Sequence, residues 1–239
     1  IFHKMPSLLR VSCNSVGLKN SFKKNRWRGF TITPRLRREH AQADNMGAKM
    51  DILHQLKFTR SALYVPGSNA RALEKARSLD ADMLIIDLED AVPHESKADA
   101  RAAAVQYAAD GVTGKIIAIR ANGADSVYHA DDIAALAQSR ANFIVVPKVE
   151  GPDDIPDAGK PILAMIETPT GLYAAREIAA HPMVAGLIAG TNDIAAETGI
   201  RPGPLREGLE LALQTIVLAA SASGKPRFDG VCNRLDDMN

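Results

Sequence analysis

A chain of 239 residues with 46% apolar content suits one barrel-sized domain or two small ones and excludes wholesale disorder. Its net charge of +1 is unevenly spread: ten of the 29 Lys/Arg and two of the 28 Asp/Glu fall in residues 1–45, leaving 19 against 26 beyond them. An acidic body argues against nucleic acid as a main partner, because phosphate binding needs clustered Lys/Arg; no apolar run approaches the length that spans a bilayer, so no membrane partner is expected.

The head comes first in chain order. It lacks helix or strand periodicity and carries the basic clusters KKNRWRG and PRLRREH. Three readings compete: a mitochondrial transit peptide, which would place the protein in the matrix; an arm for nucleic acid or membrane; or upstream sequence belonging to no fold, ahead of a start at Met46 or Met50. The last is adopted. Residues 1–50 are then a disordered head outside the fold, residues 51–239 the domain, and the location cytoplasmic. The two cysteines, Cys13 and Cys232, fit a reducing compartment better than a structural disulfide.

From residue 60 a regular pattern sets in. Apolar runs rich in β-branched residues stand at 61–67, 83–90, 115–122, 143–149, 162–168, 184–190 and 227–233. Most are apolar on both faces, as strands buried on both sides of a parallel sheet are. Helical patterns separate them at 70–79, 95–109, 130–139, 171–180 and 204–223. The 149–161 link holds Pro152, Pro156 and Pro161, which limits it to a turn or two of helix.

Strands alternating with helices imply right-handed βα units. Polar and ionisable residues recur at the C-terminal ends of the runs. In a closed barrel those ends converge on one mouth, whereas in an open sheet they spread along an edge. A (β/α)8 TIM barrel is therefore predicted, truncated after its seventh strand, with two unpaired edges and lower stability than a completed barrel.

Candidate chemistry follows from those strand ends. Glu167, in MIETPTG, and Asp193, in GTNDIA, close two consecutive units, and carboxylates on neighbouring strands can share Mg2+. The plainer alternatives are a salt bridge for Glu167 and a helix N-cap for Asp193. Arg120, in IAIRANG, is costly in an apolar strand without an anionic partner. It is read as a substrate carboxylate clamp, with an ion pair to Asp87 or Glu89 as the alternative. Asn122 stands beside it as a further substrate contact. In DLEDAVP, Asp87 and Glu89 share one side of the strand; Glu89 is assigned a role in orienting Arg120 or metal-bound water, Asp90 a helix-capping one. Lys148 would neutralise substrate or pair with an acid; its acidic surroundings argue against a Schiff-base lysine. Pro66 and Gly67 would let the backbone approach substrate, or simply make a tight turn.

Taken together, RSALYVPGSN, DMLIIDLEDAVPHESKADAR, IAIRANG, IVVPKVE, AMIETPTG, GTNDIAAETG and DGVCNRLDD resemble the citrate lyase β-subunit-like branch of the HpcH/HpaI aldolase and citrate lyase family, over roughly residues 59–238. The resemblance implies a (β/α)8 barrel assembled as a trimer or a multiple of one. It also implies Mg2+ on Glu167 and Asp193, and substrate on Arg120. The expected activity is carbon–carbon cleavage or formation of 3-hydroxyacyl thioesters of CoA or acyl carrier protein, of citryl, malyl or citramalyl type, giving an acyl thioester and a 2-oxo acid. Family members continue into another βα unit and a C-terminal segment not seen here. A class II aldolase acting on free pyruvate and an aldehyde is the second reading, and an inactive barrel serving a larger complex the third.

Overall fold

The computed structural model describes residues 9–13, 52–112 and 114–232, the first segment as backbone only. Eight strands occur among them: β1 (Leu9–Cys13), β2 (Ser61–Pro66), β3 (Met83–Asp87), β4 (Ile116–Arg120), β5 (Phe143–Val146), β6 (Ile162–Ile166), β7 (Val184–Ala189) and β8 (Arg227–Cys232). Each is parallel to its neighbours, in the order β1 to β8, and β1 pairs with β8 to close the barrel. The seven strands β2–β8 are those expected, each ending a few residues short of its apolar run.

The head does not stand wholly outside the fold. Five of its residues, β1, take the barrel's eighth place and pair with β2 and β8, with a register shift between Leu9 and Val11. The physical reason is the exposed edge. A seven-strand curl leaves unpaired N–H and C=O groups on both flanks, and any extended segment can bond them. The alternation Leu9-Arg10-Val11-Ser12-Cys13 is the strand signal that the basic clusters obscured. The other expectations for residues 1–50 fall outside the described residues.

The helices are α1 (Ile52–Leu56), α2 (Ala70–Ala76), α3 (Lys97–Asp110), α4 (His129–Gln138), α5 (Pro169–Tyr173), α6 (Ala175–Ala180), α7 (Thr191–Thr198) and α8 (Glu210–Ala222). Pro169 starts α5 at the position where its missing N–H costs nothing, and Thr168 caps that helix through its side chain. The 149–161 link holds a single 3-10 turn at Pro152–Asp154, as its prolines dictate.

Two apolar clusters divide the strand residues by parity. Leu63, Val65, Leu84, Ile86, Ile117, Ile119, Ile144 and Ile166 face outward against the helices. Ala62, Tyr64, Met83, Ile85, Ile116, Ala118, Phe143, Val145, Leu163 and Met165 fill the barrel interior. A step of two past the interior set arrives at Pro66 from Tyr64, Asp87 from Ile85, Arg120 from Ala118 and Glu167 from Met165. The polar ring is therefore the next interior layer at the C-terminal mouth, where barrels carry their chemistry.

Candidate active site

The mouth holds a cavity of about 320 Å3. Asp87, Asp90, Arg120, Glu167, Asn192 and Asp193 give it a charged wall; Tyr64, Met165, Ile188 and Val231 give it an apolar one.

Register explains the first polar pair. Asp87 and Arg120 are direct partners across β3 and β4. Arg120 Nε donates to Asp87 Oδ1 at 2.6 Å and a terminal nitrogen to Oδ2 at 2.7 Å. Asp87 also accepts the Glu89 and Ala91 backbone N–H groups at 2.9 and 3.0 Å. Burial alone would raise its pKa, but Arg120 and the two amides outweigh that and hold the carboxyl below its usual range. The other terminal nitrogen of Arg120 lies 2.9 Å from Glu89 Oε2 and 3.4 Å from Asp90. The Glu89 approach is ionic without hydrogen-bond alignment, because that oxygen has no hydrogen-bond partner. Burial pushes Glu89 up to about 7, against the opposing pull of Arg120.

Glu167 is also buried, and burial raises it to about 8, with Glu89 and Asp193 adding to the shift. The Lys148 backbone N–H donates to its Oε1 at 2.8 Å, from a residue held at a left-handed φ of 51°. Strain of this kind concentrates at functional sites. Gly190 lies opposite, and a Cβ there would overlap the Glu167 side chain. Asp193 lies in the first turn of α7 but does not cap it; the cap position is Gly190. Its carboxylate lines the same cavity as Glu167. Among the described residues neither acid forms a salt bridge. Two cavity-facing carboxylates with no salt bridge among the described residues, one of them buried and pushed to about 8, suit a divalent ion that keeps open positions for water and substrate.

Other expected residues sort differently. Pro66 lines the cavity, but Gly67 does not. Its N–H donates to the Asp87 carbonyl at 2.9 Å, and a Cβ would press against that same oxygen, so its part is the tight turn. Asn122 is buried beside the site with both ends of its amide engaged: it donates to Asp132 at 2.6 Å and accepts from Lys97 at 2.7 Å. Its expected contact with substrate is replaced by a structural one. Lys148 Nζ lies 3.8 Å from Glu89, and although its partial burial lowers its pKa, Glu89, Asp125, Asp193 and Glu167 together raise it. It therefore stays charged, as the argument against a Schiff base requires. Asp90 pairs with Arg120 at the cavity instead of capping a helix.

Asp229 was not singled out from the sequence. It is buried on the cavity wall, clamped by Arg206 at 2.7 and 2.8 Å and by the Gly230 N–H. An Asp inside the last apolar run, RFDGVC, is its signal.

The model of the HpcH/HpaI aldolase/citrate lyase family matches residues 60–239. The chain belongs to that family. It is 45% identical over 192 residues to a (3S)-malyl-CoA thioesterase of Cereibacter sphaeroides, the match covering 77% of this chain and 67% of that protein. Identity to a citrate lyase subunit beta-like protein of Deinococcus radiodurans is 34% over 196 residues, covering 74% and 67%. Among solved structures, the citrate lyase beta subunit of M. tuberculosis complexed with oxaloacetate and magnesium superposes with a TM-score of 0.66 at 30% identity, covering 74% of this chain and 80% of that one. Family membership agrees with the barrel, and magnesium is bound in that relative.

Proposed function

We propose that this chain is a Mg2+-dependent carbon–carbon lyase acting on a small 3-hydroxyacyl-CoA thioester of malyl or citramalyl type. The observation that carries the reading is the pair Glu167 and Asp193, from consecutive βα units, facing one cavity beside Arg120. Those two carboxylates would hold the ion, which when bound supplies Lewis-acid stabilisation to oxygen charge developing on the 2-oxo acid half. Arg120 is fixed by Asp87 and faces Glu89 and Asp90 with its other terminal nitrogen; it lines the cavity, and a substrate carboxylate would share that nitrogen with the two acids. Lys148 adds positive potential at the rim. The apolar wall of Met165, Ile188 and Val231 accepts the carbon skeleton and excludes water.

A second reading is favoured by the 45% identity to a malyl-CoA thioesterase. Hydrolysis would consume water and release malate and free CoA; carbon–carbon cleavage of the same substrate releases glyoxylate and acetyl-CoA. Incubation with malyl-CoA and Mg2+ separates them: glyoxylate trapped as a hydrazone supports the lyase, and stoichiometric free thiol with no glyoxylate replaces it by the hydrolase. Cleavage of a 4-hydroxy-2-oxo acid, with neither thioester attacked, would move the assignment to the aldolase. Assembly as a homo-oligomer belongs to the same proposal. The exposed Leu211 and Leu218, seven residues apart on α8, support it, and light scattering tests it.

A further inference from the structure

We propose that Lys97 is a positioning residue: its buried ammonium pins the loop that carries Glu89 and so keeps that carboxylate against Arg120. Lys97 opens α3 and is only 6% exposed. Its Nζ donates to three acceptors, the Leu88 carbonyl at 2.7 Å, the Glu89 carbonyl at 2.8 Å and Asn122 Oδ1 at 2.7 Å. An ammonium has three N–H groups, so each is used. No carboxylate lies in salt-bridge reach of it among the described residues.

A buried charge held by neutral acceptors is costly, and a single tie would be made as well by a neutral donor. What the ammonium adds over a neutral donor is three N–H groups on one atom, enough to hold the Leu88 and Glu89 carbonyls and Asn122 Oδ1 together. The loop carries three acids in four residues, and Arg120 and Lys148 are the cations that face them. The acceptor end is anchored in turn. Asn122 donates to Asp132 from both its backbone and its amide, Asp132 is wholly buried and receives Arg101 Nε at 2.6 Å, and His129 Nδ1 lies 2.8 Å from the Asn122 carbonyl. Lys97 therefore ties the loop after β3 to a rigid post built by β4, α3 and α4. It touches neither the cavity nor Arg120, so its influence on catalysis passes through Glu89.

This inference rests on the lyase reading only for its kinetic consequence; the positional one stands alone. Lys97→Met keeps the length of the chain and removes the donors. Amide exchange at Glu89, Ala91 and Val92, whose N–H groups bond within this loop, should quicken about tenfold or more, while Leu187 and Gly190 across the barrel keep their protection. Turnover should fall about tenfold with the thioester KM little changed, and Lys97→Met added to Glu89→Gln should cost no more than Glu89→Gln alone. Unchanged exchange at 89–92, or losses that add in the double variant, would overturn the proposal. If Lys97→Met does not fold, Asn122→Ala removes one acceptor of three and should show the same local exchange at smaller amplitude; protection equal to the parent overturns the proposal by that route. Should the parent cleave no thioester at all, the lyase reading fails while the exchange data still decide the role of Lys97.

Discussion

The two sides of the barrel mouth are built on opposite principles. At the β3–β4 corner most buried polar groups are answered, Glu89 Oε2 excepted: Arg120 by Asp87, Lys97 by two carbonyls and Asn122, Asp132 by Asn122 and Arg101. At the β6–β7 corner Glu167 and Asp193 face the cavity, and among the described residues the Lys148 N–H is the hydrogen-bond donor that Glu167 meets. The satisfied corner holds shape, and the unsatisfied corner is where a ligand supplies what the chain withholds. Burial that is compensated by partners specifies a structure, whereas burial left uncompensated stores affinity for something else.

The largest effects test each corner by removing one acid. Glu167→Gln should cost Mg2+-dependent turnover about a thousandfold, since a ligand to the ion is lost, yet leave thermal stability about equal at neutral pH, where a carboxyl raised to about 8 is largely protonated and the amide is its near isostere. Asp87→Ala should instead lower stability. It strands the Arg120 guanidinium, and breaking a buried pair from one side costs about 3–5 kcal/mol. Chemical denaturation of the two variants side by side checks the contrast; equal destabilisation would erase the distinction between the corners.

Much of this was legible from residue order. The interior parity of the strands follows from period-two alternation, and the polar ring from the change of residue type at each strand's end. That Glu167 and Asp193 face one cavity was readable because both follow the ends of consecutive strands, although Glu167 stands one residue past β6 and Asp193 four past β7, inside the helix. Asn122 was misjudged because sequence shows that a polar residue sits near Arg120, but not that Lys97 and Asp132, 25 residues before and 10 after it, already consume its amide. Gly67 looked like a substrate-facing glycine because both uses of glycine, close approach of a ligand and close approach of a neighbouring strand, leave the same trace. β1 was missed for a different reason: an alternation of five residues carries weight only once an open edge elsewhere in the chain calls for a strand.

A smaller effect sharpens the comparison through pH. Glu167 at about 8 and Glu89 at about 7 both lie above the ordinary carboxyl range. A carboxyl raised in the folded state binds more protons there than when unfolded, so its stabilising contribution is complete below the unfolded pKa and is lost as pH rises through the folded one. The ion-free protein should therefore lose stability between about pH 5 and 8.5. Mg2+ competes with those protons, so its increment in Tm should be larger at about pH 8.5 than at about pH 6, by a few degrees for a chain of this size. An increment independent of pH would mean that the ion does not bind where the raised carboxyls are.

The subtlest test leaves every charge in place. Gly190 follows β7 and is the N-cap of the helix that carries Asp193, and its missing side chain is the space that Glu167 occupies. Its φ of −90° is open to any residue, so Gly190→Ala adds no backbone strain. The added methyl would meet Glu167 at its Cβ as well as its carboxylate, so the end of β6 must shift along with the side chain, and a ligand moved in this way weakens an octahedral site that demands near-ideal geometry. Calorimetric titration should show Mg2+ affinity falling about tenfold, in the range seen when supporting contacts of a metal site are lost. The β3–β4 corner should not register the change, so amide protection at Leu88 and Val92 should stay as in the parent. Loss of protection there would mean that the two corners are mechanically coupled, and the division between a structural side and a ligand side would have to be redrawn as one cooperative ring.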